Sequence, residues 1–453
     1  MNKNSKTSAG VSRGVALAAF AVFAVLPAQA LDLAEAYRLA IEQDATIRAS
    51  RATADAGRER LPQARALFFP NISANVARFK NDLDTTAPDI LGRIGTTNDK
   101  YRSSNDTLTL RQPIFRKNLF AQYDQAKAQV ADAEAILERD QQNLVTRVTQ
   151  AYFETLLAEE QLVLVGVQKT FYTVQVDAAR RSLAAGSGTR TDVDEAQARL
   201  DLTIAQELEA RQNVDLSRRQ LQVLINQPVL TKVAPLDINK LKLTVPTPGT
   251  VEEWTALAEG ASPELQSARA QVAITAAEVE KARSGHYPTL DAIAQISRTN
   301  NENITRINSE YRQKQIGLQL AVPIFQGGYV NSQVREALAL QERAQSRLDE
   351  VRRDLGVRVH REFRGVTEGV LKVRALEQAV RSTEQLAVSS RRSFEAGART
   401  RLDILNAEQQ ASSARRDLSQ ARFTYVVSLA RLRALAGGLK AENIDEINGW
   451  LQH

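Results

Sequence analysis

The chain repeats itself, and this duplication constrains its fold more than any other feature. Ala64-Arg65 followed by Phe69-Pro70 recurs as Ala282-Arg283 followed by Tyr287-Pro288, at an offset of 218. Pro113-Ile114-Phe115 recurs as Pro323-Ile324-Phe325, at 210. Ala185-Gly186-x-x-Thr189-Arg190-x-Asp192 recurs as Ala396-Gly397-x-x-Thr400-Arg401-x-Asp403, at 211. Three landmarks in one order define two repeats, 31–230 and 251–437, joined by a Pro-rich linker over 231–250 and followed by a C-terminal segment, 438–453. The drop in offset places a longer loop in the first half, within Asn81 to Asn105, against Asn300 to Glu310 in the second.

Each half reads as helix, two strands, very long helix, tight turn, helix. The first helix is expected over Ala45 to Phe68. The long helix of the second half starts near Tyr329, and Val330, Val334, Ala337, Ala344, Leu348, Val351 and Leu355 hold a heptad register that then steps by four to Val359 and Phe363. The first half makes the same extra steps of four at Leu144, Val148 and Tyr152. Such stutters unwind a left-handed supercoil, so these helices are expected to lie along a wide cylinder. Each covers about 67 residues, roughly 100 Å at 1.5 Å per residue. The return helix, Asp192 to Asn226, reaches half as far. Stacked on the helix before the strands, it would match the long helix.

Four segments alternate apolar and polar residues: Asn71 to Lys80, Asp106 to Phe115, Thr289 to Thr299 and Arg312 to Phe325. Their length, about 10 residues, is that of a bilayer-crossing strand. Alternation alone is equally compatible with a sheet on a soluble core. What tilts the reading is export: Lys3, Lys6 and Arg13 precede an apolar run from Val15 to Leu26 and a small-x-small site at Ala28-Gln29-Ala30, the form of a secretory signal over 1–30. Single-chain barrels need about eight strands, and an open edge in lipid strands unpaired backbone groups. Four strands per chain therefore imply a barrel shared between copies.

Composition removes other classes. With no cysteine and only His286, His360 and His453, far apart, neither a thiol enzyme nor a Cys/His metal site is expected. No cysteine follows the cleavage site, so N-terminal lipidation is excluded. Removing the three basic residues of the signal takes 59 basic residues to 56 against 53 acidic ones, a balance that gives no reason to expect nucleic acid as a partner. Gly186-Ser187-Gly188-Thr189 lacks the lysine and leading strand of a phosphate loop. No convergent acid, base or nucleophile cluster is visible, so no enzyme and no cofactor is expected.

In its duplicated order, its Pro-Ile-Phe strand exits and its two Ala-Gly-x-x-Thr-x-x-Asp turns, the mature chain resembles the TolC-type outer-membrane efflux protein family. The resemblance implies a mostly α fold with a small β part. Long helical hairpins form an α-barrel, and four transmembrane β-strands per chain contribute to a trimeric twelve-strand β-barrel, with a mixed α/β belt midway. It implies an exit duct in the outer membrane with a long periplasmic extension, serving drug efflux or type I secretion. Its partners would be two further copies, a periplasmic adaptor, an inner-membrane transporter and outer-membrane lipid. By residue match, Thr191 and Asp192 face Arg399 and Phe394 in a polar gate at the periplasmic mouth, Phe394 standing where the family has tyrosine. Asp403 forms an acidic selectivity ring, and Asn406 replaces a second acidic position. Gly186, Ser187, Gly188, Gly397 and Ala398 form the adaptor-facing tips. Read from the residues alone, both aspartates have the form of helix-capping boxes. The rival reading, a periplasmic coiled-coil adaptor, normally carries one hairpin rather than two spaced by strands.

Overall fold

In the computed structural model the four strands form one antiparallel sheet of order β1-β2-β3-β4, and the two halves of the chain meet in it. The structure describes residues 30–228, 233–303, 306–437 and 441–452. The expected export signal lies almost wholly outside them, as do 229–232 of the repeat–linker boundary. β1 (Asn71–Pro88) and β2 (Ile94–Phe115) form one hairpin, β3 (Thr289–Asn303) and β4 (Arg306–Ala321) the other, and β2 pairs with β3 from Ser103↔Asn301 down to Phe115↔Leu290. The strands are 15 to 22 residues long, not 10. The segment Asn81 to Asn105 is not an open loop: the β1–β2 ladder continues unbroken to Pro88↔Ile94 and closes on a short turn held by Asp89, whose carboxylate accepts from the Leu91 and Arg93 amides. The second hairpin likewise carries strand through most of 300–310, and β4 stops at Ala321, short of Phe325.

Register sorts the two faces. Row by row, Ile72, Leu110, Ala294 and Ile316 share one face, followed by Leu108 with Ile296, and Ala292 with Leu318. Ser73, Thr109, Gln295 and Gln315 share the other, with Asn75, Thr107, Ser297 and Gln313 beside them. The apolar face lies open, Ile316 being 88% exposed. In β3 Asp291 of the polar face is buried and Gln295, Ser297 and Thr299 are half-buried, while Ile296, Arg298 and Asn300 of the other face are exposed, so the sheet curls there with its polar face inside.

The helices fall into two mirrored sets. α1 (Leu33–Gln43), α2 (Ala45–Arg58) and α3 (Arg60–Ala66) precede β1, the expected single helix being interrupted at Glu59. α4 (Lys117–Ala184, 68 residues) and α5 (Arg190–Ile225) make the first long hairpin. α6 (Val251–Ala261) and α7 (Pro263–Arg283) precede β3. α8 (Tyr329–Glu395, 67 residues) and α9 (Arg401–Leu435) make the second hairpin, and α10 (Ala441–Asn448) ends the chain. α2, α3 and α5 flank α4, while α7 and α9 each lie between α4 and α8. The short helices thus stack end to end along the long ones.

The buried positions of α4 and α8 set how the two long helices can coil. In α8 these are Val351, Leu355, Val359, Glu362, Val366, Val370 and Val373, spaced four, four, three, four, four, three. Phe363 is only half-buried; Glu362 holds the position expected for it. That is an 11-residue repeat, which removes left-handed supercoiling. α4 repeats it at Leu144, Val148, Tyr152 and Thr155. Between β4 and α8 the chain swivels through Gly327 and Gly328, both at positive φ (58° and 82°).

The core sits midway along the helices. Leu144, Val148, Tyr152 and Phe153 of α4 meet Val359, Val366 and Val370 of α8 and Tyr425, Val426 and Leu429 of α9. The ends and linker belt it: Leu31 bridges Val233, and Leu236 bridges Leu451. The Tyr152 hydroxyl donates to the carbonyls of Leu31 and Ala234, both at 3.0 Å, and burial pushes its pKa up. Tyr425 does the same for the linker, accepting from the Thr244 amide at 3.0 Å.

Candidate functional site

The two tight turns lie at the same end of the molecule, farthest from the sheet. Each long helix stops because its cap residue, Ala185 or Ala396, is followed by a glycine in the left-handed region, Gly186 at φ 73° and Gly397 at φ 78°, a conformation that penalises a Cβ. The next amide reaches back across the last turn: Ser187 donates to the Ser182 carbonyl at 3.0 Å and Ala398 to that of Ser393 at 2.8 Å. This pairing satisfies carbonyls the helix end leaves free. Gly186, Ser187, Gly397 and Ala398 are exposed and Gly188 is half-buried.

Both return helices then open with complete capping boxes. Thr189 accepts from the Asp192 amide at 3.1 Å, and Asp192 Oδ2 accepts from the Thr189 amide at 2.9 Å and its hydroxyl at 2.7 Å. Thr400 and Asp403 repeat this at 3.3, 2.8 and 2.7 Å. Two charge-assisted hydrogen bonds to one oxygen favour the ionised form. The threonine side-chain and backbone donors therefore hold both carboxyls below the ordinary aspartate value. A guanidinium contributes less to each, and it is a different one: Arg401 acts on Asp192, and Arg399 on Asp403.

That exchange of partners alters the reading of the gate. Within one protomer Arg399 lies on its own hairpin, donating to the buried Ser390 hydroxyl at 3.3 Å. Thr191 is exposed. At the turns themselves the cation that crosses between the hairpins is Arg401, which donates to Gln175 Oε1 and Ser182 Oγ of α4, both at 3.3 Å. Its guanidinium also lies 5.2 Å from the Phe394 ring centroid, within cation–π range. A second link stands one turn deeper, where Arg199 of α5 donates to Asn406 Oδ1 at 2.9 Å. Further along the α4–α9 seam, Gln409 Oε1 accepts from Gln168 at 2.8 Å and from the buried Tyr172 hydroxyl at 3.0 Å.

Sequence reading passed over Arg401, Arg199 and Gln409. For Arg401 the signal was present, since Thr189-Arg190 recurs as Thr400-Arg401. Only the second copy reaches across; Arg190 faces Asp194 of its own helix at 3.5 Å. Among the described residues no group of three His, Asp or Glu side chains could hold a metal ion, and no helix is long and apolar enough to cross a membrane.

Comparison with known proteins matches this architecture. The family described as "Outer membrane efflux protein" matches residues 36–227 and again 254–438, one segment per repeat. The chain is 32% identical over 427 residues to the proteases secretion protein PrtF of Dickeya chrysanthemi, covering 94% of this chain and 92% of that one. It is 33% identical over 417 residues to the alkaline protease secretion protein AprF of Pseudomonas aeruginosa, covering 92% and 86%. The crystal structure of the outer membrane protein VceC of Vibrio cholerae shares its fold, with a TM-score of 0.75 at 18% identity over 90% of this chain and 97% of that one. The chain belongs to the outer membrane efflux protein family.

Proposed function

We propose that this protein is the outer-membrane exit duct of a type I protein-secretion system, working as a homotrimer and performing no catalysis. One observation carries the reading: a four-stranded sheet, polar within and apolar outside through the rows from Leu290 to Ile296, beyond which Asp106, Arg298 and Arg312 face outward, and whose edges β1 and β4 have no partner among the described residues. Such edges are untenable in hydrocarbon unless other copies pair them. Three copies give the twelve strands of a closed lipid-facing barrel. Helices of 68 and 67 residues, roughly 100 Å long, extend the lumen across the periplasm toward an adaptor and an inner-membrane transporter. The curated relatives named for protease secretion support polypeptide cargo over small molecules.

The hairpin tips are the gate in this reading. Gly186, Ser187, Gly188, Gly397 and Ala398 face the adaptor; Thr191, Asp192, Phe394 and Arg399 meet neighbouring copies; Arg401 ties the two hairpins of one copy; Asp403 rings the pore with Asn406 one turn deeper. An exposed ion pair is worth roughly 0 to 1 kcal/mol, whereas driving a gate from 1:99 to 99:1 takes about 5.5 kcal/mol. Closure therefore needs the Arg401 and Arg199 links and hairpin packing as well as the contacts of Arg399. In planar bilayers the native protein is expected to give discrete conductance steps that rise severalfold in Arg401→Ala. In cells lacking their own duct, it is expected to restore export of a protease substrate. Absence of conductance steps from an intact trimer sinks the duct; restored drug resistance without restored protease export moves the cargo to small molecules.

A further inference from the structure

The concave face of the sheet is almost free of charge. Over the span where all four strands run together, it presents Asn, Ser, Thr, Gln, Ala, Tyr and Phe, with Ile293, Gly317 and Pro113 near its foot and a charged side chain only at Arg111 and Asp291. These two are diagonal neighbours on β2 and β3 at the end of the sheet nearest the helices. Arg116, one residue before α4, closes on the same carboxylate.

Asp291 is 3% exposed and takes four donors: Arg111 Nε at 3.0 Å and Nη2 at 2.6 Å, and Arg116 Nε at 2.7 Å and Nη2 at 2.5 Å. A buried carboxylate demands such pairing, but one guanidinium would meet its charge. The second leaves a net charge of plus one, and the more accessible cation is Arg111, 48% exposed against 26% for Arg116. We propose that Arg111, Arg116 and Asp291 form a positive collar at the foot of an otherwise uncharged barrel lumen, making this section favour anions, including carboxylate-rich stretches of polypeptide. The inference rests on the trimeric duct, in which threefold symmetry gathers three such clusters around one axis. Charged rings of this kind set ion preference in channels. Above the collar, the hydroxyl and amide wall offers hydrogen bonds to any chain and electrostatic hold to none.

The test is reversal potential in a salt gradient, kept near 0.01 to 0.1 M, where the screening length is about 30 to 10 Å. It is run in the native protein and in an Asp403→Asn background, so that the acidic mouth does not mask the collar. Arg111→Gln is expected to lower the anion-over-cation permeability ratio about twofold or more, and Arg111→Lys to retain it. An unchanged ratio in Arg111→Gln, with the trimer intact and conducting, overturns the collar while leaving the duct standing. Absence of conductance in the native protein overturns the duct instead. The cysteine-free chain gives a second readout that leaves the cluster untouched. A cysteine placed by Thr109→Cys, beside the collar, is expected to react severalfold faster with an anionic than with a cationic thiol reagent. One placed by Thr299→Cys, four residues or about 13 Å higher at 3.3 Å per residue, is expected to show that preference clearly weakened at 0.1 M salt, where the screening length is about 10 Å. Equal preference at both positions overturns the proposal.

Discussion

Asp192 and Asp403 are the capping carboxylates of the tips, and in the proposed gate their ionisation sets when it can switch. Both carboxyls are held below the ordinary aspartate value by threonine donors. A depressed folded-state pKa adds stability that is present above the unfolded value and lost as pH falls through the folded one. The caps are therefore intact from pH 8 to 5, and conductance is expected to stay flat across that window and rise only below about pH 4. A midpoint near pH 6 would assign gating to another group. Asn406 invites a second test. Asn406→Asp adds a carboxylate one turn from Asp403, but Arg199 already stands 2.9 Å from that side chain and would pair with it. The single substitution is expected to strengthen block by a trivalent cation only slightly, and Asn406→Asp with Arg199→Gln to strengthen it markedly. Equal block in both variants would show that Arg199 does not face this position in the assembled channel.

Between residues and molecule, the β1–β2 hairpin is the element that departs most from expectation. β2 pairs with β3 only as far as Ser103, while β1 and β2 remain paired with each other to Pro88 and Ile94. The outer part of the hairpin thus belongs to no wall. Replacing residues 84–98 by a two-residue Asn-Gly turn is expected to leave trimer assembly and conductance steps unchanged; loss of assembly would mean that the extension contacts a neighbouring copy. The sequence hid this stretch for a physical reason. Alternation is legible where lipid selects one face, as at Ile316, Leu318 and Leu320, but beyond the bilayer Asp82, Asp84, Thr85 and Thr86 place polar groups on both faces. The helix break at Glu59 has only an indirect mark, Gly57 two residues before it and Pro62 three after, which has no amide to donate to the Arg58 carbonyl. By contrast the tips were readable, because glycine followed by Thr-x-x-Asp encodes a helix stop and start within seven residues. Arg401 was readable as a residue but not as a link, since its partners Gln175 and Ser182 lie on another hairpin, over 200 positions away.

At the scale of the whole molecule, surface decides what one chain can do alone. A compact protein of 50.0 kDa exposes about 17,000 Å², whereas this chain exposes 28618 Å². Elongation accounts for part of the excess, but the character of the surface points to assembly. Val163, Val167 and Val174 of α4, Leu202, Leu208 and Leu216 of α5, and Leu371 of α8 are exposed along the hairpins, as are Ile316, Leu318 and Leu320 on β4. Apolar patches of this extent are covered by lipid or by other chains. When folding and association bury the same surface, stability depends on protomer concentration and cannot be assigned to the monomer. Mass measurement in mild detergent is expected to give three copies of the mature chain, and heating to abolish the β-sheet signal and the trimer band at the same temperature. A folded, water-soluble monomer, or a sheet that survives dissociation, would mean that the open edges are satisfied within one chain and that the barrel is not shared.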